Sequence, residues 1–253
     1  VKDIIDIQAK FGAALSKVSA LGGEYKDNIV ALGDAARELG PKFGLGVTES
    51  VGAIEALAKA GVSTADILGG GLEAALTLST AGSIELGAAA ETAASAMTQF
   101  GLSGAELNKV ADALVNGANS AQGGVDQLRQ ALAQSGLVAA QFGLDLNDTV
   151  GALTTFASAG LLGSDAGTSF KAALIRLGNP TKEAKDQLNA LGISAFDAQG
   201  KFVGIENLAG QLQERLKGLT EEQRASALAT IFGTDAIRVG NILYEKGAKG
   251  IAE

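Results

Sequence analysis

Apolar residues recur along this chain at helical spacing for nearly its whole length, interrupted every 10 to 20 residues by glycine. From Asp3 to Ala20 the apolar positions Ile4, Ile7, Phe11, Leu15 and Val18 mark one face of a helix. Gly22-Gly23 ends it, and a second helix is predicted from Glu24 to Leu39, stopped by Gly40 and Pro41. Further helices are predicted over Glu49–Ala60, then from Ser63 (capped with Asp66 three residues on), broken at Gly69-Gly70-Gly71 before Leu72–Ser79. Ser83–Phe100 and Ser103–Ala118 follow, then a polar loop from Asn119 to Gly124, a helix Val125–Gln134 and a short turn from Leu137 to Phe142. Helices are expected from Ser164 or Asp165 to Leu177 and, with Pro180 at the helix start, over Thr181–Leu191. The last three run Glu206–Leu216, Thr220 (boxed with Gln223) to Phe232, and Asp235–Lys246. One stretch departs from the pattern: Ile193–Val203, ISAFDAQGKFV, sets two apolar segments about a turn composition and predicts a small β-hairpin. The fold class is therefore mainly α, an array of short packed helices with one small β-hairpin near 193–203.

Within this array one segment occurs twice. Phe43–Gly61 (FGLGVTESVGAIEALAKAG) and Phe142–Gly160 (FGLDLNDTVGALTTFASAG) align without a gap, and FGLSGAE at Phe100 is a shorter echo. Each copy reads as a helix end, a turn and a new helix. The Gly takes the left-handed conformation, and the following Leu folds back on the last turn. Thr48, Asn147 and Ser103 with Glu106 are the expected caps of the helices that follow.

Composition narrows the picture. The chain's 253 residues are enough for one large or two ordinary domains, but only 4% are aromatic and 35 are glycine, so its core is built from small side chains. A glycine in a helix interior costs about 0.5–1 kcal/mol relative to alanine, which argues against one long rod. A net charge of −8, without a basic stripe, disfavours sequence-specific nucleic-acid binding and adsorption to anionic lipid. Neither cysteine nor histidine is present, which removes disulfides, thiolate chemistry and the commonest general base and metal ligand. The longest uncharged run, Thr149–Ser164, is shorter than the roughly 20 residues of a spanning helix. No signal peptide is visible, and the chain reads as a piece of something longer.

Five groups invite a chemical reading. Gly69-Gly70-Gly71 lacks the Gly-Lys-Ser/Thr ending and preceding strand of a phosphate loop and reads as a helix break. Asp145, Asn147 and Asp148 do not have the spacing of a calcium loop, and helix capping by Asn147 or Asp148 is the reading. Glu221-Glu222 suits a helix first turn. Lys182 and Lys185 form no nucleophile–base pair, and Phe100, Phe142 and Phe156 read as core anchors. No catalytic, cofactor-binding or metal-binding residue is assigned, and no cofactor is expected.

The order of several motifs resembles the conserved block of phage tail tape measure proteins. These are LGDAARELG (32–40), AIEALAKAGVS (53–63), MTQFGLSGAELNKVADALVNGANSAQGGVDQL (97–128), the run from ALAQSGL to DAQGKF (131–202) and LAGQLQERLKGLTEEQRASALATIFGTDAI (208–237). The resemblance covers residues 25 to 240. It divides the chain into N-terminal helices (1–40), a conserved helical domain holding the internal repeat (41–240) and the start of a continuing helix or linker (241–253). It implies a structural, non-enzymatic virion protein of the tail lumen, made in the host cytoplasm, in the chain that sets tail length and templates tube assembly. The implied partners are other copies of itself (trimer or hexamer), tail tube and tail tip proteins, and assembly chaperones. Membrane contact would come only through other parts of the parent chain. The alternative from composition alone is a membrane-active helical protein, pore-forming or DNA-injecting, drawn from its Ala/Gly/Leu-rich helices.

Overall fold

The computed structural model describes residues 2–252. They form α1 (Lys2–Ser19), α2 (Gly23–Asp27), α3 (Ile29–Lys42), α4 (Val47–Lys59), α5 (Thr64–Asp66), a π turn (Ile67–Gly71), α6 (Leu72–Ala81) and α7 (Leu86–Phe100). A 3-10 turn (Gly104–Glu106) leads into α8 (Leu107–Ser120), followed by α9 (Gly124–Gln141), α10 (Leu146–Ser158), α11 (Gly163–Gly178), α12 (Lys182–Leu191), α13 (Ile205–Leu216) and α14 (Glu221–Ala252). The chain divides after Asn116 into two compact units, a division that lies inside the stretch 41–240.

In the first unit α4 is the central helix, and α1, α3, α6 and α7 pack against it. Its Val51, Ala53, Ile54 and Leu57 are fully buried. Small residues let the neighbours come close: Ala36, Ala74, Ala75, Ala89, Ala90 and Ala93 are also fully buried. Phe11 anchors α1, with the Arg37 guanidinium 4.5 Å above its ring.

In the second unit α11 is held between α9 and α14, and α13 lies along α14. Phe156 and Phe170 are fully buried and meet edge to face at 5.3 Å between centroids. Gly167 of α11 sits so near the Ala131 carbonyl of α9 that a Cβ could not be placed there. α14 leaves the helical conformation at Gly233 (φ 71°) and Gly247 (φ 61°), so the expected break between Phe232 and Asp235 is present inside it.

The expected β-hairpin at 193–203 does not form, and the described residues contain no strand. A single antiparallel bridge pairs Phe196 with Phe202. On the outer side of this bridge Gln211 accepts from Ser194 N–H (2.8 Å) and donates to its carbonyl (2.9 Å). The Asp197 carboxylate accepts from the N–H groups of Gln199 and Lys201. What remains is a tight turn whose two Phe rings pack on Phe142, at 6.0 and 5.6 Å.

Three helix boundaries also differ from expectation. The stretch expected as one helix from Glu24 is divided at Asn28, whose side-chain amide donates to the Glu24 carbonyl (2.9 Å) and to Thr64 Oγ1 (3.3 Å). α3 runs through Gly40 and Pro41 to Lys42, because Pro41 enters only in the last turn, where it forgoes one main-chain hydrogen bond. Leu137–Phe142 is no turn: α9 continues to Gln141, its small face of Ala131, Ser135, Gly136 and Ala139 buried.

Candidate functional site

The feature repeated through the molecule is the joint between helices. Gly44 (φ 71°), Gly101 (φ 65°) and Gly143 (φ 79°) all lie in the left-handed region just past a helix end. The next residue donates its N–H five residues back: Leu45 to Gly40, Leu102 to Met97 and Leu144 to Ala139, at 2.9 to 3.1 Å. Its side chain turns inward, as with Leu144 at 6% exposed. The residue after it caps the next helix, and an acidic side chain three positions on returns to the cap's N–H. The pairs are Gly46 with Glu49 (2.9 Å), Ser103 with Glu106 (3.1 Å) and Asp145 with Asp148 (3.4 Å).

The expected caps Thr48 and Asn147 are therefore placed too late in the chain. The turn consumes only the Gly and the Leu, so the very next backbone is already extended at Gly46 (ψ 147°) and Asp145 (ψ −179°). Ser103–Glu106 forms as expected, as do Ser63–Asp66 and Thr220–Gln223. Ser83 does not open α7. It occupies the left-handed position itself (φ 51°), and the cap is Glu85, whose carboxylate accepts from Ala88 N–H at 3.0 Å.

These bonds stabilise the charged carboxylates. Glu106 is drawn down from 4.5 to about 2, first by the Ser103 N–H and then by Lys109. Glu85 is lowered by the N–H groups of Ala88 and Gly87. Asp66 is lowered by the Ser63 hydroxyl and then by the Gly104 N–H. Asp165 is lowered by Arg238, which grips both its oxygens at 2.6 Å and ties α11 to α14. Tyr25 is raised by burial and by Glu24; its hydroxyl donates toward the Val62 carbonyl at 3.0 Å.

The structure separates the remaining sequence candidates. Gly70 and Gly71 are buried in the π turn, packed on the backbone at Gly104 and Asp66. Glu221 and Glu222 lie exposed in the first turn of α14, and Lys182 and Lys185 lie exposed on α12. Phe156 is core, Phe142 belongs to the three-ring cluster with Phe196 and Phe202, and Phe100 is half-buried at the end of α7. Among the described residues no group of three or more His, Cys, Asp or Glu could hold a metal ion. No helix among them is long and apolar enough to cross a membrane.

The family model of the phage-related minor tail protein matches residues 33–233, through both units. The chain belongs to that family. Two tail relatives align along nearly all of it. The tape measure protein of Pneumococcus phage Dp-1 is 29% identical over 233 residues, 92% of this chain and 20% of the relative. The probable tape measure protein of Escherichia phage P2 is 27% identical over 245 residues, 95% of this chain and 30% of the relative. The chain thus spans between a fifth and a third of the length of these relatives. No solved structure matches it. For a minor tail protein the joints are architecture: each ends one helix and caps the next.

Proposed function

We propose that this chain is a folded organising segment within a tail tape measure protein, a structural part of the chain that sets tail length. The observation that carries this reading is that similarity to two tape measure proteins runs through both units rather than along one end. A continuous helix would advance about 1.5 Å per residue and serve as a ruler. Here most helices run 10 to 18 residues between capped joints, and the longer α14 is broken at Gly233 and Gly247, which suits a module that docks and organises. On this reading the segment works in the virion, in the tail lumen, after synthesis in the host cytoplasm. Its partners are further copies of the same chain, tail tube and tip proteins, and assembly chaperones. It acts without catalysis.

The test is tail length by electron microscopy after in-frame deletion of Phe43–Phe232 from the parent gene. Absent tails, or tails of scattered length, are the expected outcome for an organising module. Tails of a sharp shorter length would make the segment part of the ruler itself. Normal tails at normal length would overturn the proposal.

A further inference from the structure

The helix that follows the first repeat is a copy of α11 with one residue more. Phe43 to Asp66 corresponds to Phe142 to Asp165 without a gap, including the joints at Gly61 (φ 83°) and Gly160 (φ 82°). Beyond it, Leu72-Glu73-Ala74-Ala75-Leu76 lines up with Phe170-Lys171-Ala172-Ala173-Leu174, with Leu72, Leu76, Phe170 and Leu174 all fully buried. Ile67 and Leu72 are thus five residues apart where Ala166 and Phe170 are four apart. The extra residue falls in the π turn, where Leu72 N–H bonds to the Ile67 carbonyl, five residues back.

Local preference does not hold that turn. It contains three consecutive glycines, which lose the most backbone freedom on ordering, and Gly70 sits at φ 147°. What holds it is another segment of the same unit. The turn Ser103–Glu106 lies on it backbone to backbone: a Cβ on Gly70 would stand 2.7 Å from the Gly104 carbonyl oxygen, and one on Gly104 would overlap the Asp66 main chain. Gly104 N–H donates to Asp66 Oδ1 at 2.8 Å. Asp66 is itself fixed by Ser63, whose hydroxyl donates to Oδ2 (2.6 Å) and accepts from the Asp66 N–H (3.1 Å). The corresponding Asp165 grips Arg238 instead, and α11, without the extra residue, continues unbroken.

We infer that the π turn is a latched hinge, kept closed by the seating of Ser103–Glu106 on Asp66 and Gly70. It is the first part of the helical core of the first unit to open when that turn lifts. Opening at 67–72 and lifting at 104–107 are one event.

Hydrogen exchange on the chain followed by mass spectrometry tests this. Amides of 68–72 and 104–107 are expected to exchange with a common opening free energy, faster than those of 51–58 in α4. Asp66→Ala, which removes the bond to Gly104 N–H and the tie to Ser63, should speed both segments by about tenfold, and Gly104→Ala, whose Cβ would overlap the Asp66 main chain, by at least as much, while both leave α4 protected. Deleting Gly69 should close the helix into regular form, slow exchange at 68–72 and make it insensitive to Asp66→Ala. Asp165→Ala should leave both segments unchanged. Exchange of 68–72 at the rate of α4 in the unaltered chain, or acceleration of one segment without the other, would overturn the hinge.

Discussion

The two copies of the repeat share their joints and differ in what surrounds them. In both, the helix after the joint begins with a buried hydroxyl bonded back to the cap carbonyl, Ser50 to Gly46 at 3.1 Å and Thr149 to Asp145 at 2.7 Å. In both, the same faces are buried: Val51, Ile54 and Leu57 in α4, Val150, Leu153 and Phe156 in α10. The hub role differs. α4 is the centre of the first unit, whereas in the second α11 and α14 take that place. The side chains record the change as a pair: Leu57 and Leu72, both fully buried, align in sequence with Phe156 and Phe170, which meet edge to face. Joints are set by a few residues each and survive duplication; cores are renegotiated around them.

The largest expected effect separates the cores. Phe156→Ala should cost about 4 kcal/mol, because it removes a buried ring and its edge-to-face partner contact, and Leu57→Ala about 3 kcal/mol. Chemical denaturation followed by circular dichroism reads both, and equal costs would mean that the ring pair adds nothing beyond an aliphatic core. The joints should behave alike. Gly44→Val and Gly143→Val each place a β-branched residue at positive φ and should cost about 2 kcal/mol. A large difference between the two melting shifts would break the equivalence of the copies.

Acid should act on the joints of the first unit and, in the second, on the Asp165–Arg238 tie. Glu106, Glu85 and Asp66 of the first unit have folded values below their ordinary ones, so their contribution is complete above about 4.5 and is lost as pH falls, toward about 2 for Glu106. Amide exchange between pH 5 and 3 should show α7 and α8 loosening, and Glu106→Gln should remove the dependence at its own joint. The smallest effect is a gain. Gly52 and Gly151 are exposed mid-helix with open space where a Cβ would go, so Gly→Ala at either should stabilise by about 0.5–1 kcal/mol. Loss of stability in one copy alone would show a contact there that the other lacks.

Much of this was legible in the sequence, and the rest was hidden for identifiable reasons. Helical period, left-handed glycines and the Ser-x-x-Glu box at Ser103 are local signals, and they predicted most helices and the repeat. The caps at Gly46 and Asp145 were missed because Thr48 and Asn147 suit a cap equally well; the turn's fixed length, not side-chain preference, chooses the position. The bridge at Phe196 does not extend into a ladder because the Asp197 carboxylate takes the Lys201 N–H, while Gln211, 17 residues from Ser194, holds the outer side. The Asp66–Gly104 and Asp165–Arg238 contacts join residues 38 and 73 positions apart, with no local pattern to announce them.

The extra residue in the π turn has one more consequence. Adding a residue to a straight α-helix turns everything after it by about 100° and lifts it about 1.5 Å. Leu72 and Leu76 would then swing away from the side their counterparts Phe170 and Leu174 face. The wider turn absorbs that rotation, so both remain at 0% exposure. Upstream and downstream hydrophobic positions are out of phase when counted along the chain, yet in phase in space.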